Sequence, residues 1–110
     1  MLTKQLYADQ IMEALGHQTR RDILVLLRSN ALPVGDIATR FPISRPAISK
    51  HLRILEQAGL VEHMPSGTRN IFRLRAVGFE MARAYIVSFW DEALTNFQRL
   101  AEAKEQEGNE

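Results

Sequence analysis

Apolar residues recur at three- and four-residue intervals over residues 3–15, where Leu6, Ala8, Ile11, Met12 and Leu15 share one side of a helix and Gly16 supplies a stop. A second helix is predicted from Gln18 to Ser29. Its run Ile23, Leu24, Val25, Leu26 and Leu27 leaves almost no polar face, as expected at the centre of a small core. Pro33 ends the connection that follows. Val34, Ile37, Ala38 and Phe41 mark a short third helix, broken at Phe41-Pro42-Ile43-Ser44 because proline disfavours helical backbone in the residue before it.

The fourth segment, residues 44–58, carries the strongest local signals. Ser44 can accept a hydrogen bond from the free amides of a first helical turn, Pro46 lies within that turn where its missing N–H costs nothing, and Gly59 is a suitable stop. At helical pitch Ile48, Leu52 and Leu55 form one stripe, with Ala47, His51 and Ala58 beside it. Pro46, Ser49, Lys50, Arg53 and Gln57 occupy the opposite side, with Glu56 at its edge. Two short runs, Leu60 to Pro65 and Asn70 to Arg75, joined by Ser66-Gly67-Thr68-Arg69, read as a β-hairpin. A last helix spans residues 78–104, with fraying expected in the final EQEGNE. Without repeats or an interior linker, residues 1–110 form one domain, mainly α with a small β-hairpin, in the order α-α-α-α-β-β-α.

Composition narrows the chemistry. The 110 residues include no cysteine, which removes disulfide scaffolds, thiolate redox switches, cysteine zinc sites and cysteine nucleophiles together. No run is apolar and long enough to span a bilayer, and MLTKQLYADQ lacks the pattern of a signal peptide, so a cytoplasmic protein without membrane contact is expected. The net charge of +1 conceals an uneven distribution: residues 17–75 hold ten basic side chains against four acids, and both flanks are acidic. Such a basic middle can present a cationic face to an anionic partner.

Two short helices joined by a tight turn, the second exposing Ser, Lys and Arg, meet the requirements of a helix-turn-helix that reads the DNA major groove. That groove is about 12 Å wide and admits a helix whose early residues are short or are long hydrogen-bond donors. Arg45 and Lys50 can donate to guanine O6 and N7, and Ser49 can bond a base edge or phosphate. Ser44 and the helix amides favour phosphate, as do Arg53, Thr68 and Arg69, and Arg69 at the wing tip can alternatively enter a minor groove, where a narrow A·T tract concentrates negative potential. Recognition helix 44–58 and wing 65–70 thus form the expected interface with double-stranded DNA. On the last helix Phe89, Trp90, Leu94 and Phe97 make an apolar band too broad for a terminal helix of a monomer this small to hide, and they point to a homodimer.

These segments resemble the ArsR/SmtB family of dimeric winged helix-turn-helix transcriptional repressors. The resemblance is carried by LGHQTRRDILVLL (15–27), LPVGDIA (32–38), SRPAISKHLRILEQAGLV (44–61) and SGTRNIFRL (66–74), about the middle 60 residues, while FWDEAL (89–94) is similar to the metal-free branch. It implies DNA contacts at Arg45, Pro46, Ser49 and Lys50 with support from Arg69, and a dimer built from the helices at 3–15 and 78–104, including Leu6. Many relatives carry Gln at the position of Arg45. Since arginine favours guanine and glutamine adenine, an operator taken from those relatives does not carry over at that base. The family's metal sensors place cysteines where Pro33 and Val34 stand, or Asp and His on the last helix, where no His occurs, so no metal and no cofactor is expected. The implied function is a sequence-specific repressor at a roughly palindromic operator, with the two recognition helices about one helical turn apart.

His17, His51 and His63 belong to different elements and are read as structural or surface residues, His51 as a packed or capping imidazole. The Trp90 region is read as core or interface before ligand pocket. No Ser, His and carboxylate recur in a motif, and no Gly-rich phosphate loop exists, so the chain is not expected to be an enzyme. The rival reading is a winged-helix protein-interaction module that does not bind DNA. A small-molecule effector, if one controls release, is expected in a cleft between the terminal helices and the helix-turn-helix; nothing in the residues names it, the operator, or the regulated genes.

Overall fold

A computed structural model describes residues 2–108, and the remainder of the expected fraying tail, 109 and 110, lies outside the described residues. The elements are α1 (Leu2–Leu15), α2 (Gln18–Leu27), β1 (Leu32–Pro33), α3 (Val34–Ala38), α4 (Arg45–Gln57), β2 (Val61–Ser66), β3 (Arg69–Leu74) and α5 (Ala76–Gly108). All seven expected elements occur in the expected order, with one short strand added.

The core is aliphatic and continuous. Ile11 of α1, Ile23 of α2, Ile37 of α3, Ile48, Leu52 and Leu55 of α4, and Leu60 and Val61 at the start of β2 are fully buried. Each such side chain contributes about 1.5–3 kcal/mol by leaving water. The α4 stripe is therefore the keel of the domain, and its opposite side must face outward. α2 is less enclosed than its unbroken apolar run suggests: Ile23, Leu24 and Leu27 are buried, but Val25 is 55% exposed, on the side of Arg21 and Arg28.

β1 explains how the wing is held. It is a two-residue edge strand, with Leu32 opposite Phe72 and Pro33 opposite Ile71, so the antiparallel sheet has the order β1-β3-β2. Pro33 has no N–H to give a ladder and is tolerated because β1 lies at the edge. Two residues are too short to show alternation, which is why the strand was not expected. The hairpin register pairs Val61 with Leu74 through to Ser66 with Arg69, leaving Gly67-Thr68 as the loop instead of four residues. Gly67 takes φ +64° while Thr68 stays negative, as a type II′ turn requires at its first central position.

α3 stops at Ala38, earlier than expected. Phe41 still packs against the core, but from the turn, where its amide donates to Ala38 C=O at 3.4 Å. α5 starts two residues early and continues to Gly108, so 105–108 are helical instead of frayed. At about 1.5 Å per residue its 33 residues reach roughly 50 Å, in a molecule of 75 × 30 × 21 Å. Its first turns pack on the body through buried Gly78 and Ala82 and half-buried Phe79 and Met81.

Candidate nucleic-acid interface

The start of α4 is built as the residues dictate. Ser44 has extended backbone, and its Oγ accepts from the Ala47 amide at 3.3 Å, satisfying one of the free donors of the first turn. Arg45 and Pro46 fill the first two helical positions, and proline there forfeits no hydrogen bond. Ser44, Arg45, Pro46, Lys50 and Arg53 are exposed; Pro46, Lys50 and Arg53 share the side opposite Ile48, Leu52 and Leu55, Arg45 leans toward α3, and Ser49 is half-buried.

The wing tip stands beside the same helix end. Arg45, Thr68, Arg69 and Asn70 join Pro33, Val34, Gly35 and Asp36 around one open cleft of about 330 Å³. The Arg45 guanidinium lies over Gly35, with Nη1 3.7 Å from where a side-chain carbon on that glycine would stand. The next residue, Asp36, accepts from Arg69 Nη2 at 3.5 Å. Both of these side chains are more than half exposed, so their attraction is worth at most about 1 kcal/mol. The structure thus brings together the expected Arg45, Thr68 and Arg69, and adds Asp36, which sequence reasoning missed. The available signal was a lone carboxylate in the first turn of α3, within an otherwise basic segment.

The rest of the basic middle divides by task. Arg20 donates from Nε to Ala14 C=O at 2.8 Å and from Nη2 to Glu13 C=O at 3.1 Å, and Arg21 donates to Leu15 C=O at 2.7 Å. Both arginines cap the carbonyl end of α1, where the helix dipole favours cations. Arg73 binds Glu62 at 2.8 Å, with Arg75 behind it at 3.9 Å. Glu56, on the edge of the α4 face, is held by His63 Nδ1 at 2.5 Å. Among the described residues Arg28, Arg40, Arg45, Lys50 and Arg53 of the basic middle enter no ion pair, and three of these five lie on α4.

Two histidines from different elements meet behind that face. His17 caps α2, its Nδ1 accepting from the Thr19 amide at 3.2 Å, and its ring centroid lies 4.8 Å from that of His51. His51 Nδ1 is 3.3 Å from Arg20 Nη1, which can only donate, so His51 accepts through that nitrogen. Burial first, then the neighbouring His17, Arg20 and Lys50, hold the His51 pKa below its usual 6.5. His51 is half-buried, in keeping with a packed imidazole. Among the described residues no three His, Cys, Asp or Glu side chains are grouped to hold a metal ion.

The expected dimer residues lie elsewhere. Leu6, Phe89, Trp90 and Phe97 are each 60–63% exposed and Leu94 39%, alongside Ile86 and Leu100. They form a continuous apolar band along α5, with Leu6 on α1. Shallow clefts run between α1 and α4, one lined by Gln10, Glu13, Arg20, Ile54, Gln57 and Ala58 with about 270 Å³. No helix of the described residues is long and apolar enough to cross a membrane.

Comparison with known proteins places this geometry. Residues 17–63 match the family described as bacterial regulatory protein, arsR family. The chain is 38% identical over 96 residues to the HTH-type transcriptional regulator Rv2034 of Mycobacterium tuberculosis (strain ATCC 25618 / H37Rv), covering 87% of this chain and 90% of that protein. It is 33% identical to the transcriptional repressor SdpR of Bacillus subtilis (strain 168), covering 74% and 90%. Among solved structures it is similar to the homodimeric winged helix-turn-helix DNA-binding domain Mb0332 of Mycobacterium bovis, a possible ArsR-family transcriptional regulator. That likeness has a TM-score of 0.63 and 30% identity, over 82% of this chain and 83% of that one.

Proposed function

Because the chain belongs to the arsR family of bacterial regulatory proteins, we propose that it is a homodimeric transcriptional repressor that binds a roughly palindromic DNA operator through α4 and the wing. One observation carries this reading: the first residue of α4 and the wing tip share a single cleft, with Arg45, Thr68 and Arg69 on its walls. A helix with short side chains at its start and free guanidinium and ammonium groups beyond suits the major groove. The wing lies where the adjoining backbone would pass.

Arg45, Ser49 and Lys50 read base edges, with Pro46 keeping the helix start narrow. Ser44, Arg53, Thr68 and Arg69 hold phosphates. Leu6, Phe89, Trp90, Leu94 and Phe97 pack against a second copy, which sets the separation of the two recognition helices. The half-buried position of Ser49 suits a short contact at the flank of the groove better than a deep one. No enzymatic role follows from the family, whose members are transcriptional regulators.

The test is a fluorescence titration against random duplex and against duplexes selected from random DNA, at two salt concentrations. We expect at least micromolar affinity for random duplex at low salt, falling steeply as salt rises. Arg45→Ala should weaken the selected site by about 1–3 kcal/mol and relax preference at one base, whereas Arg69→Ala should weaken all sequences evenly. No binding to any duplex would overturn the proposal in favour of a protein-interaction module, and equal losses on selected and random DNA for Arg45→Ala would overturn its base-reading role.

A further inference from the structure

We infer that Asp36 is a competitor carboxylate built into the DNA-facing surface: it engages the wing arginine Arg69 in the free protein, and the DNA backbone must displace it before the wing can bind. The inference rests on the DNA-binding reading above and adds a residue that opposes binding.

Three observations converge on Asp36. Its carboxylate accepts from Arg69 Nη2 at 3.5 Å, across 33 residues of sequence and from a different element. It shares the cleft with Arg45 and Thr68, so the groups offered to phosphate are the ones it faces. The other paired acids of the basic middle are engaged away from this cleft, Glu56 with His63 and Glu62 with Arg73 and Arg75. Asp36 is therefore the anion that a phosphate entering between α4 and the wing must replace.

The consequences follow from charge. A guanidinium paired with a carboxylate gives up that partner on meeting a phosphate, so the exchange yields less than capture of phosphate by a free arginine. The pair is exposed, which limits its strength. Asp36 thus lowers affinity without abolishing it, and its effect passes through a backbone contact and is alike for all sequences. Because operator and non-operator DNA lose alike, the brake lowers occupancy and residence on both and leaves the specificity ratio unchanged.

Asp36→Asn is the test variant. Its fold risk is small, because the side chain is exposed and the Thr39 hydroxyl bonds the Asp36 backbone carbonyl, at 2.7 Å, and leaves the carboxylate free of that role. The full chain and the Asp36→Asn, Arg69→Ala and double variants are titrated against random duplex at low salt. We expect Asp36→Asn to tighten binding about two- to fivefold, the range an exposed ion pair allows, and the double variant to match Arg69→Ala within twofold. Unchanged affinity for Asp36→Asn while the parent protein binds DNA overturns the inference. Equal tightening in the Arg69→Ala background also overturns it, because Asp36 would then repel DNA generally. A parent protein that binds no duplex instead fails the functional reading on which the inference rests.

Discussion

Replacing Gly78 by alanine should destabilise the protein even though alanine is the better helix former by about 1 kcal/mol. A side-chain carbon at Gly78 would stand 2.4 Å from the Gly59 carbonyl oxygen, 2.6 Å from its carbon and 2.9 Å from Leu60 N, against 3.4–4 Å for ordinary contact. These are backbone atoms, so α5 would have to withdraw by about 1 Å. Withdrawal strains the bond that the Gly78 amide donates to Gly59 C=O at 3.0 Å. Gly59 cannot move aside easily, since it is held at φ +77° and its neighbour Leu60 accepts from Arg75 N at 3.0 Å. Overpacking of this kind costs about 1–3 kcal/mol and a weakened hydrogen bond up to about 1 kcal/mol. With the helix-propensity gain subtracted, the net loss should reach up to about 3 kcal/mol, or as much as roughly 20 °C in Tm for a domain near this size. Thermal melts followed by far-ultraviolet circular dichroism, at one fixed protein concentration because the proposed dimer would contribute, provide the measurement. Gly35→Ala is the control: it meets only the flexible end of Arg45 at 3.7 Å and should leave Tm level or raised. A Gly78→Ala protein that melts at or above the parent temperature would refute the close-approach argument.

Two further outcomes follow from other parts of the molecule. His51 has a depressed pKa, so below about 6.5 the unfolded chain binds more protons than the folded one. Stability fully present above that pH should fall as pH drops through the window down to the folded value. Denaturant titrations between pH 5 and 8 check the slope, and His51→Gln should flatten it. A double variant, Trp90→Ala with Phe97→Ala, alters side chains more than 60% exposed on the subunit. It should leave helix content intact and raise the dimer dissociation constant by at least about 30-fold, the effect of one central anchor; sedimentation velocity unchanged from the parent dimer would remove α5 from the interface.

The helices were legible because each writes its own signal locally. The α4 stripe of Ile48, Leu52 and Leu55, the cap at Ser44 and the proline of the first turn are all contained in fifteen residues, and each appears as read. β1 was not legible: two residues have no period, and Leu32 and Pro33 become a strand only because β3 arrives alongside them. The same holds for Val25. An apolar run predicts enclosure on all sides, but enclosure depends on how many neighbours the fold supplies, and the side of α2 bearing Val25 receives none.

Charge was the least legible property, for a physical reason. Summed over residues 17–75, ten basic groups suggested one cationic face, yet a sum is blind to what each cation touches. Arg20 and Arg21 are held by the carbonyl end of α1, Arg73 and Arg75 by Glu62, and Arg69 by Asp36. What remains outward is smaller than the sum: Arg28, Arg40, Arg45, Lys50 and Arg53 are exposed with no acid partner, and three of these five lie on α4. The pairing of Arg69 also shows why a residue can be singled out in the sequence while the partner it holds in the structure goes unseen. Contact with Asp36 depends on β1 and β3 carrying the wing back over α3, a long-range closure that no local pattern encodes.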